Sequence, residues 1–357
     1  SSDVCSSDLS NENNSHDKGF DIFTNNLQIK QGVFRFDKQT ERSPYENHFD
    51  ELHMCYADLN INAKNISFKN DSLLAYLNLS TKERCGFDIK KLEANITFTP
   101  QMMEFKNLDI ITNKSHIGNY YAMRYDHFQD DMQDYINKVK MEGHLKQSTV
   151  NTDDIAYFAT ALKDFHRTVT LESDVNGVVN KLIAENLKAV SGKTKINGSF
   201  QINEPTDLKT FSIQINSKET VANLPEIQSF YSDLPKEAIS VLKNCGEIQF
   251  AGKYDGSVSS SVVKGNFNTK WGNLTTDLLI KGSSFSGELS SSGLNAGKLA
   301  DIKSLGIVQF RSKIDGASGK PLLIDADVKS CNGMDILISK SWQKENMKTM
   351  FLKEQFK

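Results

Sequence analysis

Proline is scarce, with 6 in 357 residues, and tryptophan scarcer still at 2. With no Gly/Ser-rich run either, composition marks no linker, and the length fits two ordinary domains or one long repetitive one. No stretch approaches the roughly 20 consecutive apolar residues of a membrane-crossing helix. The five cysteines, Cys5, Cys55, Cys85, Cys245 and Cys331, are far apart and form no C-x-x-C pair. That argues against a zinc or dithiol site. Reduced, packed cysteines are the simpler reading, and a Cys55–Cys85 disulfide stays open. A net charge of -3 gives no basic surface for nucleic acid.

Catalytic patterns are equally thin. Ser191–Thr194 reads "SGKT", but the glycine that a phosphate-binding loop needs upstream is Leu187. The seven histidines do not cluster at metal-ligand spacing. His48 and His53 are expected to be solvent-facing loop residues. Asp130, Asp131 and Asp134 beside His127 read as a solvated acidic face. The sequons Asn95-Ile96-Thr97 and Asn273-Leu274-Thr275 follow from a sheet rich in Asn and Thr. The reading is of a non-enzyme with neither cofactor nor metal.

What the chain does have is alternation. "LNINAKNISF" places Leu59, Ile61 and Ala63 on one face, then Ile66 and Phe68 after a slip. "LLAYLNLS" continues with Leu73, Ala75, Leu77 and Leu79. "FDIKKLEANITF" adds Phe87 and Ile89, then Leu92, Ala94, Ile96 and Phe98. "MEFKNLDII" gives Met103, Phe105, Leu108 and Ile110. Period two means strands with one apolar and one polar face, and the slips predict bulges or turns. The fold class expected is mostly β, an elongated repetitive antiparallel sheet with a few short helices.

Helical signals are few. "NTDDIAYFATALKDF" puts Ile155, Phe158, Leu162 and Phe165 on one face, behind Thr152 as a cap. "LPKEAISVLKN" has Pro235 in its first turn, and "NAGKLADIKS" could form a short third helix. Gly118–Asp134 has no period and reads as a loop or irregular helix. Each helix is followed by a strand and an Asn-Gly or Asp-Gly pair, at Gly177, Gly256 and Gly316. Such pairs predict hairpin turns. The order strand, helix, strand, hairpin thus occurs three times. The apolar positions Ile196, Phe200, Ile202, Phe211, Ile213, Ile215, Ile248 and Phe250 are expected to share one face. That face either closes on another as a sandwich or stays open as a groove that binds something apolar.

"HFDELHMCYADLNINAKNISFKNDSLLAYLNLSTKERCGFDIKKLEANITFTPQMMEFKNLDIIT", His48 to Thr112, resembles the TamB-like translocation and assembly module proteins of Bacteroidetes, in the AsmA-like group. The shared features are the "HFD" start, the "KE..GF.IK.L" hairpin and the "NL.I.T..S" strand at Asn107–Ser115. "DDIAYFATAL" and "SGLNAGKLADIKSLGIVQFRSKIDG" are similar to the family's repeats, and the likeness runs from about Gly19 to Ser330. It implies a long periplasmic β-groove, anchored in the inner membrane by an N-terminal helix. It also implies a role in outer-membrane biogenesis, with phospholipid acyl chains as cargo and an Omp85-type outer-membrane partner. The C-terminal domain that defines the family is not in this sequence. A closed β-rich adhesion or carbohydrate-binding module is the alternative, for which only Trp271 and Trp342 could supply tryptophan platforms.

The ends read differently. "SSDVCSSDL", residues 1–9, resembles a translated sequencing-library adapter and is expected to be foreign to the fold. From Cys331 the alternation stops. Family members continue there with a strand like "WNGY.Y.NI", and a shifted frame of permitted codons reads WNGYTYKQIMAKRKYENDVFKGAV. Residues 331–357 are therefore expected to be a frameshifted tail. Between the ends, 10–145 reads as an N-terminal β-meander and 146–330 as the three diverged repeats.

Overall fold

The computed structural model describes residues 21–42, 47–159, 162–207, 209–230, 236–301, 306–317 and 323–332. The chain begins with β1 Ile22–Asp37, β2 His53–Lys69, β3 Ser72–Glu83, β4 Asp88–Thr99, β5 Met102–Ile111 and β6 His116–Arg124. Two short helices follow, α1 Phe128–Gln133 and α2 Tyr135–Lys138, and then β7 Lys140–Asn151 and α3 Thr152–Ala156. Next come β8 Thr168–Val178, β9 Lys181–Ser191, β10 Thr194–Asn203, β11 Ser212–Asn223, α4 Leu224–Phe230 and α5 Lys236–Cys245. The last part holds β12 Glu247–Ser257, β13 Ser260–Thr269, β14 Gly272–Lys281, β15 Ser284–Asn295, α6 Ala296–Ala300, β16 Ile307–Ala317 and β17 Leu323–Asn332.

Each strand pairs antiparallel with its neighbours in sequence, from β1–β2 to β16–β17. The result is a single meandering sheet, and it does not close into a barrel. The elongated antiparallel sheet read from the alternation is therefore the observed fold. The division expected at 145/146 falls inside β7, and pairing continues across it.

The slips in period two are bulges. Asp58, Asn65, Asn107, Gln147 and Asn186 sit at φ between 48° and 56°, each beside a register shift. Asn tolerates this left-handed conformation better than most residues, which explains its frequency here. A bulge interrupts the ladder and leaves backbone groups in need of partners. Buried hydroxyls supply them. Thr81 donates to Ala57 O at 2.9 Å, Ser148 to Gly118 O at 3.2 Å, Ser173 to Glu185 O at 2.9 Å and Ser217 to Phe250 O at 3.2 Å. These four side chains are at most 5% exposed. They lie inside a largely apolar sheet because each satisfies a carbonyl at a bulge.

A meander has two rims, one for each set of connections. The odd-to-even connections carry α3, α4–α5 and α6, so helices interrupt this rim at every fourth strand, after β7, β11 and β15. This rim is tied together along its length. Asn113 Nδ2 donates to Gly86 O at 3.0 Å, and Asp154 Oδ2 accepts from Thr112 Oγ1, Lys114 N and Ser115 Oγ at 2.5, 3.0 and 2.6 Å. Farther along, Lys193 N donates to Glu226, Trp271 Nε1 to Asn244 O at 2.8 Å and Asn244 Nδ2 to Leu299 O at 3.0 Å. The even-to-odd rim is built mainly of short turns, apart from α1–α2 and the 204–211 connection.

Several local expectations change. Gly177, Gly256 and Gly316 lie within β8, β12 and β16, not in turns. For the first two, the turn falls two residues later, at Val179-Asn180 and Val258-Ser259. The helix expected over the "DDIAYFATALKDF" stretch ends at Ala156. Ile155 and Phe158 are exposed, while Leu162 and Phe165, beyond the helix, are partly buried. Phe158 instead sets its ring against Phe49 and Phe87, with centroids 5.2 and 5.0 Å away. α5 and α6 form as read, but Pro235 lies outside the described residues, and α4 had no legible signal beyond Pro225. β17 runs through Cys331 to Asn332. Residues 1–9 and 333–357, with Trp342, lie outside the described residues.

Candidate functional site

Directly opposed residues in an antiparallel ladder share a face, so register can be followed across the sheet. One file passes through Ile22, Phe68, Leu73, Phe98 and Met103 in β1–β5. It goes on through Met123, Met141, Gly177 and Leu182 in β6–β9. It ends through Ile202, Ile213, Gly256, Ser261, Ile280, Phe285 and Gly316, in β16. No register shift interrupts it, and it contains no charged residue. At about 4.8 Å per strand it is roughly 70 Å long measured along the sheet.

A second file lies two residues away. It starts at Ala75, Ile96, Phe105 and Tyr121 in β3–β6. Gly143, Val175, Ala184, Phe200 and Ile215 carry it to β11. Tyr254, Val263, Leu278, Gly287, Ile314 and Ile324 complete it in β17. Across the line of bulges, Ile196 and Phe250 belong to a further apolar file through Thr220 and Phe267. Ile248 lies on the same face as Phe250, two residues along β12. The register thus puts Ile196, Phe200, Ile202, Ile213, Ile215, Ile248 and Phe250 on one face of the sheet. Phe211 lies one residue ahead of β11, in the connection.

Most large side chains of this face are not enclosed by the described residues. Phe98, Phe105, Phe200, Ile202, Ile213, Ile215 and Leu278 are each only partly buried, and Ile280 and Ile324 are exposed. Its buried members include the small Ala63, Ala75, Ala94 and Ala184, together with Ile96 and Leu108, which cluster with Ala75 and Ala94 in β3–β5, and Ile248. Extensive strand contacts are confined to ladder neighbours. A sandwich would enclose the large residues of this face against an opposing sheet. Among the described residues the apolar face is therefore shallow and open over much of its length.

Glycines lower its floor. Phe250 lies over the opposed pair Gly252 and Gly265, where an added methyl would come within 3.0 and 2.9 Å of the ring. Tyr254 covers Gly256 in the same way, at 2.5 Å. The other face of the sheet is charged. Lys91 bridges Glu93 and Asp109 at 2.6 and 2.7 Å, His116 meets Asp109 at 2.6 Å, and Lys264 meets Asp277 at 2.6 Å. The Lys91 ammonium holds the Asp109 carboxyl below its ordinary range, against a smaller desolvation effect and with help from His116.

Titratable groups concentrate where β2 meets the β3–β4 connection, at the helix-bearing rim. Desolvation pushes the Glu83 carboxyl up. The Cys85 thiol and the N–H groups of Cys85, Cys55 and Arg84 outweigh it, leaving the group below its usual value. The same burial, with the Glu83 bond, pushes the Cys85 thiol up to about 12. Cys85 is thus a buried thiol held in its protonated form, and Cys55 and Cys85 are unpaired. His53 is only 2% exposed, contrary to the solvent-facing expectation. It bonds Asp50 at 2.9 Å and the carbonyls of Lys38 and Thr40 at 3.1 and 2.9 Å, so it ties a loop down. Asp131, expected on a solvated face, is 8% exposed and accepts from the N–H groups of Asp126 and His127. Among the described residues no group of three or more His, Cys, Asp or Glu side chains could hold a metal.

No family model matches the chain, nor does any curated protein or solved structure. Among the described residues no helix is long and apolar enough to cross a membrane.

The alternation did not reveal Tyr121, Met123 or Met141 as members of the apolar files. Their neighbours include glycine, tyrosine and bulge residues, which blur period two. The usable signal was the register of the flanking hairpins.

Proposed function

We propose that this chain is a non-enzymatic segment of a lipid conduit, carrying phospholipid acyl chains along its apolar face. The uninterrupted file from Ile22 to Gly316 carries the reading. Moving a phospholipid through water exposes two acyl chains at about 0.8 kcal/mol per CH2, on the order of 20 kcal/mol in all. A continuous apolar face offsets that cost at each step, whereas a single pocket offsets it only at one place. Flat aromatic rings over glycines leave room for chains to lie along the sheet. Transport of this kind needs no nucleophile or metal, and net direction must come from another component.

The resemblance to TamB-like proteins supports the same reading. On that reading the parent would be a periplasmic protein anchored in the inner membrane, with an Omp85-type partner and a role in outer-membrane biogenesis. The adhesion alternative draws less support. Trp271 spends its indole N–H on Asn244 O, with Lys270 5.0 Å above its ring, so it is engaged in the rim.

The test is uptake of labelled phospholipid by delipidated protein. Recovery of one or more lipids per chain, competed by fatty acid and not by soluble glycans, is the expected result. Binding to glycans without lipid uptake would refute it.

A further inference from the structure

On the even-to-odd rim, the β6–β7 connection does not stop at the edge. α2 reaches over the apolar face: Tyr135 Oη lies 3.4 Å from Tyr121 Oη and 3.7 Å from Met123 Sδ. Tyr121 and Met123 belong to the second and first apolar files respectively. One side chain from outside the sheet therefore touches both files at the same place.

The segment that carries Tyr135 is held at both ends. At its start, Tyr125 is 5% exposed and donates its hydroxyl to Thr99 O at 3.0 Å. Asp131 caps the first turn, accepting from the N–H groups of Asp126 and His127 at 2.7 and 3.0 Å. At its end, Asn180 N donates to Ile136 O at 3.2 Å and Asn180 Nδ2 to Asn137 Oδ1 at 2.7 Å, and Val139 is fully buried. The floor beside Tyr135 is low, since Gly143 stands opposite Tyr121 and Gly177 opposite Met141.

The polar atoms at the crossing fit together without remainder. Tyr121 can donate to Tyr135, and Tyr135 to the Met123 sulfur. A hydroxyl inside an apolar trough is costly unless bonded, and this order bonds both. Burial raises the Tyr121 phenol well above its usual value, so it stays a donor at every physiological pH.

The geometry points to a gate: α2, with Tyr135 as its moving part, closes the apolar face at β6–β8, and an acyl chain passing along the files must displace it. This rests on the lipid reading above. In the lipid-free chain the Tyr121–Tyr135–Met123 contact divides the trough into a β1–β5 stretch and a β9–β17 stretch. A methionine lining suits such a crossing, because the thioether is unbranched and repacks readily around either a ring or a chain.

Two measurements test it on the full chain, with vesicles of dioleoylphosphatidylglycerol carrying a fluorescent phospholipid as donor. Tyr135→Ala should take up lipid several-fold faster than the unaltered chain, and Tyr135→Phe, which keeps the ring and loses the hydrogen bonds, should fall between them. Hydrogen exchange on the unaltered chain should show amides of Tyr135–Lys138 losing protection when lipid is bound, which keeps the test open should a variant fail to fold. Equal uptake rates for a folded Tyr135→Ala and the unaltered chain overturn the gate, as does unchanged protection in the lipid-bound protein. No uptake by any form overturns the lipid reading itself and the gate with it.

Discussion

Gly265 faces the carbonyl of Ala251 across the β12–β13 ladder so closely that a methyl group on it would lie 2.4 Å from that oxygen. The Phe250 ring lies over the same glycine. Both neighbours are fixed, one as backbone and one as a ring packed 4.7 Å from Phe267. Gly265→Ala should therefore cost about 1–3 kcal/mol through strain, despite the usual entropic gain of replacing glycine. Urea unfolding checks this, and a gain in stability would show that the ladder yields easily there.

Phe158 is 52% exposed. Its tilted contact with Phe49 and edge contact with Phe87 are each worth about 0.5–1.5 kcal/mol. Phe158→Ala should thus lower stability by roughly 1–2 kcal/mol, well under the ~3–5 kcal/mol of a fully buried phenylalanine. Differential unfolding of the variant decides it, and a cost above about 3 kcal/mol would mean that this ring is covered in solution.

Glu83 predicts an acid-sensitive corner. Its folded-state carboxyl lies below its ordinary value, so its contribution is fully present above about pH 4.3 and is lost as pH falls through the lowered value. Stability should decline below about pH 4.3, and Glu83→Gln should flatten that part of the profile. At neutral pH the same variant should cost roughly 1–3 kcal/mol, since a neutral amide accepts less strongly from the N–H groups of Cys55 and Cys85. An unchanged acid limb in Glu83→Gln would assign the effect to another carboxylate.

Faces can be tested one residue at a time on β11. Ile213 and Ile215 stand in the two apolar files, opposite Gly256 and Tyr254, whereas Gln214 stands opposite Asp255. Photocrosslinking side chains at Ile213 and Ile215 should label bound phospholipid, and those at Ser212 and Gln214 should not. Similar labelling at all four positions would contradict a one-faced binding surface.

The sequence by itself determined most of the strands, their sides and even the bulges, although residues 118–124, which read as a loop or irregular helix because their glycine and tyrosines blur period two, continue β6 as a strand. Period two is a local property of an extended chain, and a slip such as that between Ala63 and Ile66 must be absorbed where it occurs, here at Asn65. Local pattern misled where a motif serves two geometries. Asn176-Gly177 and Asp255-Gly256 resemble hairpin turns, yet their glycines lie in strands, where close approach of neighbouring atoms excludes a side chain. The short reach of α3 was also beyond the sequence, since Phe158 finds its partners in Phe49 and Phe87, far away along the chain. Only the tertiary structure decided that the described residues leave the apolar face largely uncovered. Alternation says that Ile213 and Phe200 share a side, but what lies over that side is a sum over distant segments. The same holds for Tyr135, which reaches Tyr121 and Met123 only because α2 turns back across the sheet.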